Sequence, residues 1–175
     1  MKKMKNDNKG FTLVELIVVL VILAILAAIL VPALLGYIDE AKASQLELHG
    51  KSVYTAAQAV SSELYGKGVV PTDETANTVG NKSGKVYLRD RIFDISDLDE
   101  FKADVVTVTV GFKGTTKHDA YTVSYLFYSE KVGTADPSCV ELVGGSWSTC
   151  TAASVTTNTV TFTYTKGSDG TWTKA

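Results

Sequence analysis

Between Leu16 and Leu35 the chain reads LIVVLVILAILAAILVPALL, twenty residues without a charge or a polar side chain. At ~1.5 Å per residue a helix of this length crosses ~30 Å of hydrocarbon. Lys2, Lys3, Lys5 and Lys9 stand just before it and are expected to stay on the cytoplasmic side, which places everything after Leu35 outside. The competing reading is a cleaved secretory signal peptide, for which Ala41-Lys42-Ala43 supplies a small-x-small site. The apolar core of such a peptide is ~7–15 residues, shorter than this run. An export signal that also serves as an anchor fits the length better.

The charge distribution supports that orientation. Residues 1–10 hold four Lys and one Asp, so the remainder of the chain has 13 basic against 18 acidic residues. A short basic head before a mildly acidic body sets topology. It offers no basic footprint and no specific site for nucleic acid. Two His and two Cys in 175 residues leave little material for most metal or thiol enzymes.

Glu15 does not suit a plain anchor. A charged side chain well inside a bilayer costs ~2.5–3.5 kcal/mol on insertion scales, so it needs a partner or an exit to the interface. Its surroundings, Lys9-Gly10-Phe11-Thr12-Leu13-Val14-Glu15-Leu16, follow a short lysine-rich leader and open an apolar helix containing Pro32. Over roughly residues 1–55 the chain resembles the type IV pilins and their class III signal, with a leader of type IVa length.

That resemblance implies cleavage by a prepilin peptidase between Gly10 and Phe11, followed by methylation of the new Phe11 amine by the same enzyme. Gly10 has no side chain to keep a protease from the peptide. Cleavage would leave a cationic amine on Phe11, four residues from Glu15. In a bundle of staggered helices the amine of an arriving subunit would neutralise the Glu15 of its neighbour. Such a contact sets register more than it adds stability. Phe11, Glu15 and Pro32 are therefore the expected assembly residues. The implied partners are lipid before assembly, then copies of the chain in a helical homopolymer, served by an assembly platform and motor ATPases. The implied product is a surface pilus for adhesion, aggregation or twitching motility, built from this chain as major pilin. Its precursor would sit as a single-pass protein in the cytoplasmic membrane.

The body reads as α+β. Leu46, Val53, Ala57, Val60 and Leu64 fall on one helical face, while Pro32 predicts a bend or local melting. Tyr65-Gly66-Lys67-Gly68 ends the helix, and the Gly, Asn, Thr and Ser that follow read as a long connection. Val106, Val108, Val110 and Phe112 predict a strand; Tyr121, Val123, Tyr125 and Phe127 a second; Val160, Phe162 and Tyr164 a third. Val86–Arg89 and Val140–Val143 are weaker strand candidates. The expected organisation is a leader (1–10), an apolar helix (11–36) and a head (37–175). The head would comprise a half-helix (37–64), a connecting loop (65–104) and an antiparallel sheet of three to five strands (105–175) packed on the helix.

Cys139 and Cys150 lie in the segment expected outside. A bridge between them would add roughly 3 kcal/mol on a chain-entropy estimate, and the family resemblance favours one; two reduced, separately packed thiols are the alternative. No metal site or cofactor is expected. Gly80-Asn81-Lys82-Ser83-Gly84-Lys85-Val86 misses a phosphate loop by the position of its second Gly and by Val86. His49 and His118 read as packed or solvated residues. Asp94, Asp97, Asp99 and Glu100 lack the spacing of a calcium loop, and Asn81-Lys82-Ser83 is a glycosylation sequon on three residues alone. No acid, base and nucleophile converge, so no catalytic residue can be named and no enzymatic activity is expected. Two other functions share these features: a pseudopilin of a type II secretion or DNA-uptake machine, and a single-pass anchored extracellular binding domain.

Overall fold

The computed structural model describes residues 11–74, 78–134, 138–150, 152–155 and 157–175. Helix α1 covers Leu13–Lys67 and is followed by the two-residue strands β1 (Thr78–Val79) and β2 (Lys82–Ser83) and by α2 (Gly84–Ile95). Six further strands complete the chain: β3 (Val105–Phe112), β4 (Val123–Lys131), β5 (Ser138–Val143), β6 (Ser146–Cys150), β7 (Thr159–Lys166) and β8 (Trp172–Lys174). The class is α+β. Two compact units result, one ending at Lys42 and the other spanning Ala43–Ala175.

The described part of the first unit is α1 up to Lys42. Its large apolar side chains are exposed all round, from Phe11 at 84% to Leu35 at 57%. Pro32 lies inside the helix and helical backbone continues on both sides of it, so the expected local melting is not seen. Propagation of a long helix carries one missing N–H where its neighbours keep their hydrogen bonds.

The second unit is built on an antiparallel sheet of order β6-β5-β4-β3-β7-β8. Its register aligns apolar rows under the helices. Leu142, Leu126, Val110 and Val160 form one row, and Val140, Tyr128, Val108 and Phe162 the next. Leu46, Val53, Ala57, Val60 and Leu64 of α1 join these rows in one core, together with Leu88, Ile92 and Phe93 of α2. Each Val, Leu, Ile or Phe among them, fully buried, is worth ~1.5–3 kcal/mol. Gly50 lets α1 approach the sheet closely: a Cβ there would lie 2.9 Å from both Trp147 and Val140. Tyr125 and Phe127 face the other way, in a second cluster with Cys139. They cannot share the helix face, because Val108 pairs with Tyr128 and parity turns alternate residues outward.

α1 stops in a Schellman cap. Gly68 adopts φ +67°, the Gly68 N–H bonds Tyr65 O and the Val69 N–H bonds Leu64 O, both at 3.1 Å.

The stretch 65–104 departs most from the sequence reading. Instead of a connecting loop it holds the β1–β2 hairpin, α2 and a 3-10 turn, Leu98–Glu100. Gly80 (φ +56°) and Asn81 (φ +65°) make the hairpin's two-residue turn. Ser83 then caps α2, its hydroxyl accepting from the Val86 N–H. Residues 86–89 are therefore helical, not a strand. The sheet has six strands because two short edge strands, β6 and β8, extend the expected set.

Candidate assembly and processing site

α1 begins with a reciprocal cap. The backbone N–H and the hydroxyl of Thr12 both donate to Glu15 Oε2, at 2.8 and 2.7 Å, and the Glu15 N–H bonds the Thr12 hydroxyl at 3.3 Å. This is a Thr-x-x-Glu capping box. It satisfies donors that the first helical turn would otherwise leave to the surroundings, and Glu15 also complements the positive end of the helix dipole. The signal was legible in the sequence, since Thr and Glu three apart stand immediately before an apolar run. The sequence reading weighs Glu15 as an ion-pair partner or as a carboxylate at the membrane interface, not as a cap. Phe11 is exposed beside this cap; Gly10 lies outside the described residues.

Pro32 and the cap share one helix but lie twenty residues apart, so no contact joins them. Cys139 and Cys150 are directly opposite each other on β5 and β6. Their Sγ atoms face each other 2.6 Å apart. Burial, with the neighbouring Cys139 and Glu141, pushes the Cys150 thiol well above its ordinary value.

The histidines are packed. His49 Nδ1 lies 2.5 Å from Glu130 Oε1, the oxygen to which Tyr128 also donates at 2.5 Å, and its ring stacks on Phe101 at 3.9 Å. No sequence signal foretells this, because its partners stand 52 to 81 positions away. His118 touches Tyr65 at 5.2 Å.

Among the described residues the other chemistry-bearing groups called from the sequence stand apart. Asp94 pairs with Lys174 at 3.3 Å, and among the described residues no three His, Cys, Asp or Glu could hold a metal. The Gly80–Lys85 stretch forms the hairpin and cap already described. Lys85 Nζ is 2.7 Å from Glu74, and Gly84 abuts the Val70 carbonyl so closely that a Cβ would fall 2.0 Å from it.

Set beside known families, residues 5–31 match the prokaryotic N-terminal methylation motif. This motif is the class III signal of type IV pilins, and the long apolar helix agrees with it. The motif supports a type IV pilin- or pseudopilin-like precursor, and such a signal implies processing by prepilin peptidase and pilus assembly in general. The same motif implies a structural protein held by a membrane anchor. No curated protein matches the chain, and no solved structure does.

Proposed function

We propose that this protein is the major subunit of a type IV pilus. Residues 1–10 are its leader, 11–36 its membrane and fibre-core helix, and 37–175 its head. Prepilin peptidase cuts between Gly10 and Phe11 and the Phe11 amine is methylated. The precursor waits in the cytoplasmic membrane, and an assembly platform with its motor ATPases draws it into a surface fibre that adheres, aggregates cells or supports twitching. At each addition the Phe11 amine of the new subunit meets the Glu15 carboxylate of a neighbour. Cys139 and Cys150, facing each other across an antiparallel pair, form a disulfide once exported. Nothing in this role asks the chain to catalyse a reaction.

One observation carries the reading. An apolar helix with no buried side, from Leu13 to Leu35, bears a methylation signal at its start. Exposed apolar surface on that scale requires lipid or copies of itself. The test is mass spectrometry of the mature N-terminus together with electron microscopy of cells with and without the chain. A methylated Phe11 and fibres that vanish on deletion are expected. A mature protein beginning at Met1, or at Ser44, refutes the proposal.

A further inference from the structure

We propose that the groove between the Leu48–Thr55 stretch of α1 and the Asp97–Phe101 turn seats a second copy of this chain. The copy enters with its Tyr65–His118–Tyr121 aromatic cluster and Lys117. The proposal rests on the fibre-subunit reading, and it adds a contact between heads to the one between helices.

The groove encloses about 460 Å³, and Leu48, Ser52, Thr55, Asp97, Glu100 and Phe101 are among its lining. Leu48 is 65% exposed, an unusual position for a leucine on a helix whose other side is core. The floor is rigid, since Phe101 stacks on His49 and His49 is held by Glu130. A pre-organised floor spares the ordering cost of binding. The wall is acidic: Asp97 and Glu100 line it, are exposed and form no ion pair among the described residues. Lys51, the groove's cation, is already answered by Glu47 at 2.6 Å.

The complementary feature stands at the other end of the same helical stretch. Tyr65 is 49% exposed and packs on His118 and on Tyr121, at 5.2 and 5.1 Å. Beside it Lys117 is exposed, with no ion pair among the described residues. The nearby cations are neutralised, Lys113 by Asp119 and Lys67 by Glu63. An exposed aromatic cluster flanked by one unanswered positive charge matches an apolar groove flanked by unanswered negative ones. Aromatic anchors in such clefts carry most of an interface's energy, and the charges select the partner.

The geometry also fits a fibre better than a dimer. Groove and cluster are different patches, separated by roughly 15–25 Å along α1. A contact between unlike patches is heterologous, and it repeats without closing when each added copy is also displaced along the fibre axis.

The test uses the full-length chain in cells that assemble it. Lys117→Glu and Glu100→Lys are made singly and together, and sheared surface fibre is measured against the membrane pool. Each single reversal should lower that ratio roughly threefold or more, and the double reversal should restore most of it. An unchanged ratio in both single variants, or no recovery in the double, overturns the contact. So does a fibre map in which the groove is empty or holds another segment. Failure of the unaltered chain to form any fibre instead refutes the fibre-subunit reading.

Discussion

At Glu15 two demands meet on one carboxylate. Oε2 is committed to Thr12 within its own helix, while the proposed assembly contact needs the negative charge. Glutamine can serve in a capping box but carries no charge, so substitution separates the two roles. Glu15→Gln should keep the α1 start helical and the protein in the membrane while abolishing nearly all fibres, as Glu15→Ala should. Fibre counts per cell by electron microscopy, with membrane amounts by immunoblot, check this; abundant fibres from Glu15→Gln would show that the charge is dispensable. Gly84 is a second residue under tight constraint. With the Val70 carbonyl 2.0 Å from where its Cβ would be, Gly84→Ala should cost more than ~2 kcal/mol. Thermal unfolding would then show a clear fall in Tm.

The elements differ in how much of themselves they write into the sequence. α1 is legible because its first part is uniformly apolar and its second keeps a 3–4 residue period through Val53, Ala57, Val60 and Leu64. β3 and β7 are legible because Val and Thr alternate. α2 is not: Val86-Tyr87-Leu88 favours a strand locally, and only burial of Leu88, Ile92 and Phe93 against the sheet turns the segment helical. That is a tertiary decision overriding propensity. The parity of β4 was equally hidden, since Tyr125 and Phe127 are as apolar as Leu126 and Tyr128, and only the register with β3 says which pair meets the helices. α1 and α2 are also joined electrostatically. Tyr87 donates to Glu63 at 2.6 Å; that bond chiefly, with Lys67 and Arg91 adding to it, holds the Glu63 carboxyl below its ordinary value of 4.5. A depressed carboxylate contributes stability that is present above its unfolded value and lost as pH falls through the folded one. The head should therefore lose stability on acidification below about pH 4.5, and Glu63→Gln should make that loss shallower. Unfolding midpoints at pH 7 and pH 3 for both proteins test the sign.

For the whole molecule the division at Lys42 and Ala43 has a direct consequence. The Ala43–Ala175 unit has its own buried core and its own hydrogen-bonded sheet, whereas residues 11–42 contribute no buried side chain. A chain beginning at Ala43 should fold, remain soluble without detergent and sediment as a monomer. Filaments from it would contradict assembly through α1. The methylation motif over residues 5–31 was legible, because it is local in the sequence. The groove and the His49 cluster were not, because each joins residues dozens of positions apart.

The apolar coating of the Leu16–Leu35 stretch has one more consequence. With no side of the rod greasier than another, lipid gives it no preferred azimuth, and a stored precursor can swivel freely about its long axis. Orientation must then be imposed at docking by the few polar points the precursor carries. On the fibre-subunit reading, the membrane pool would be a reservoir of rotationally undecided molecules, and growth of the fibre the step at which each is assigned a bearing.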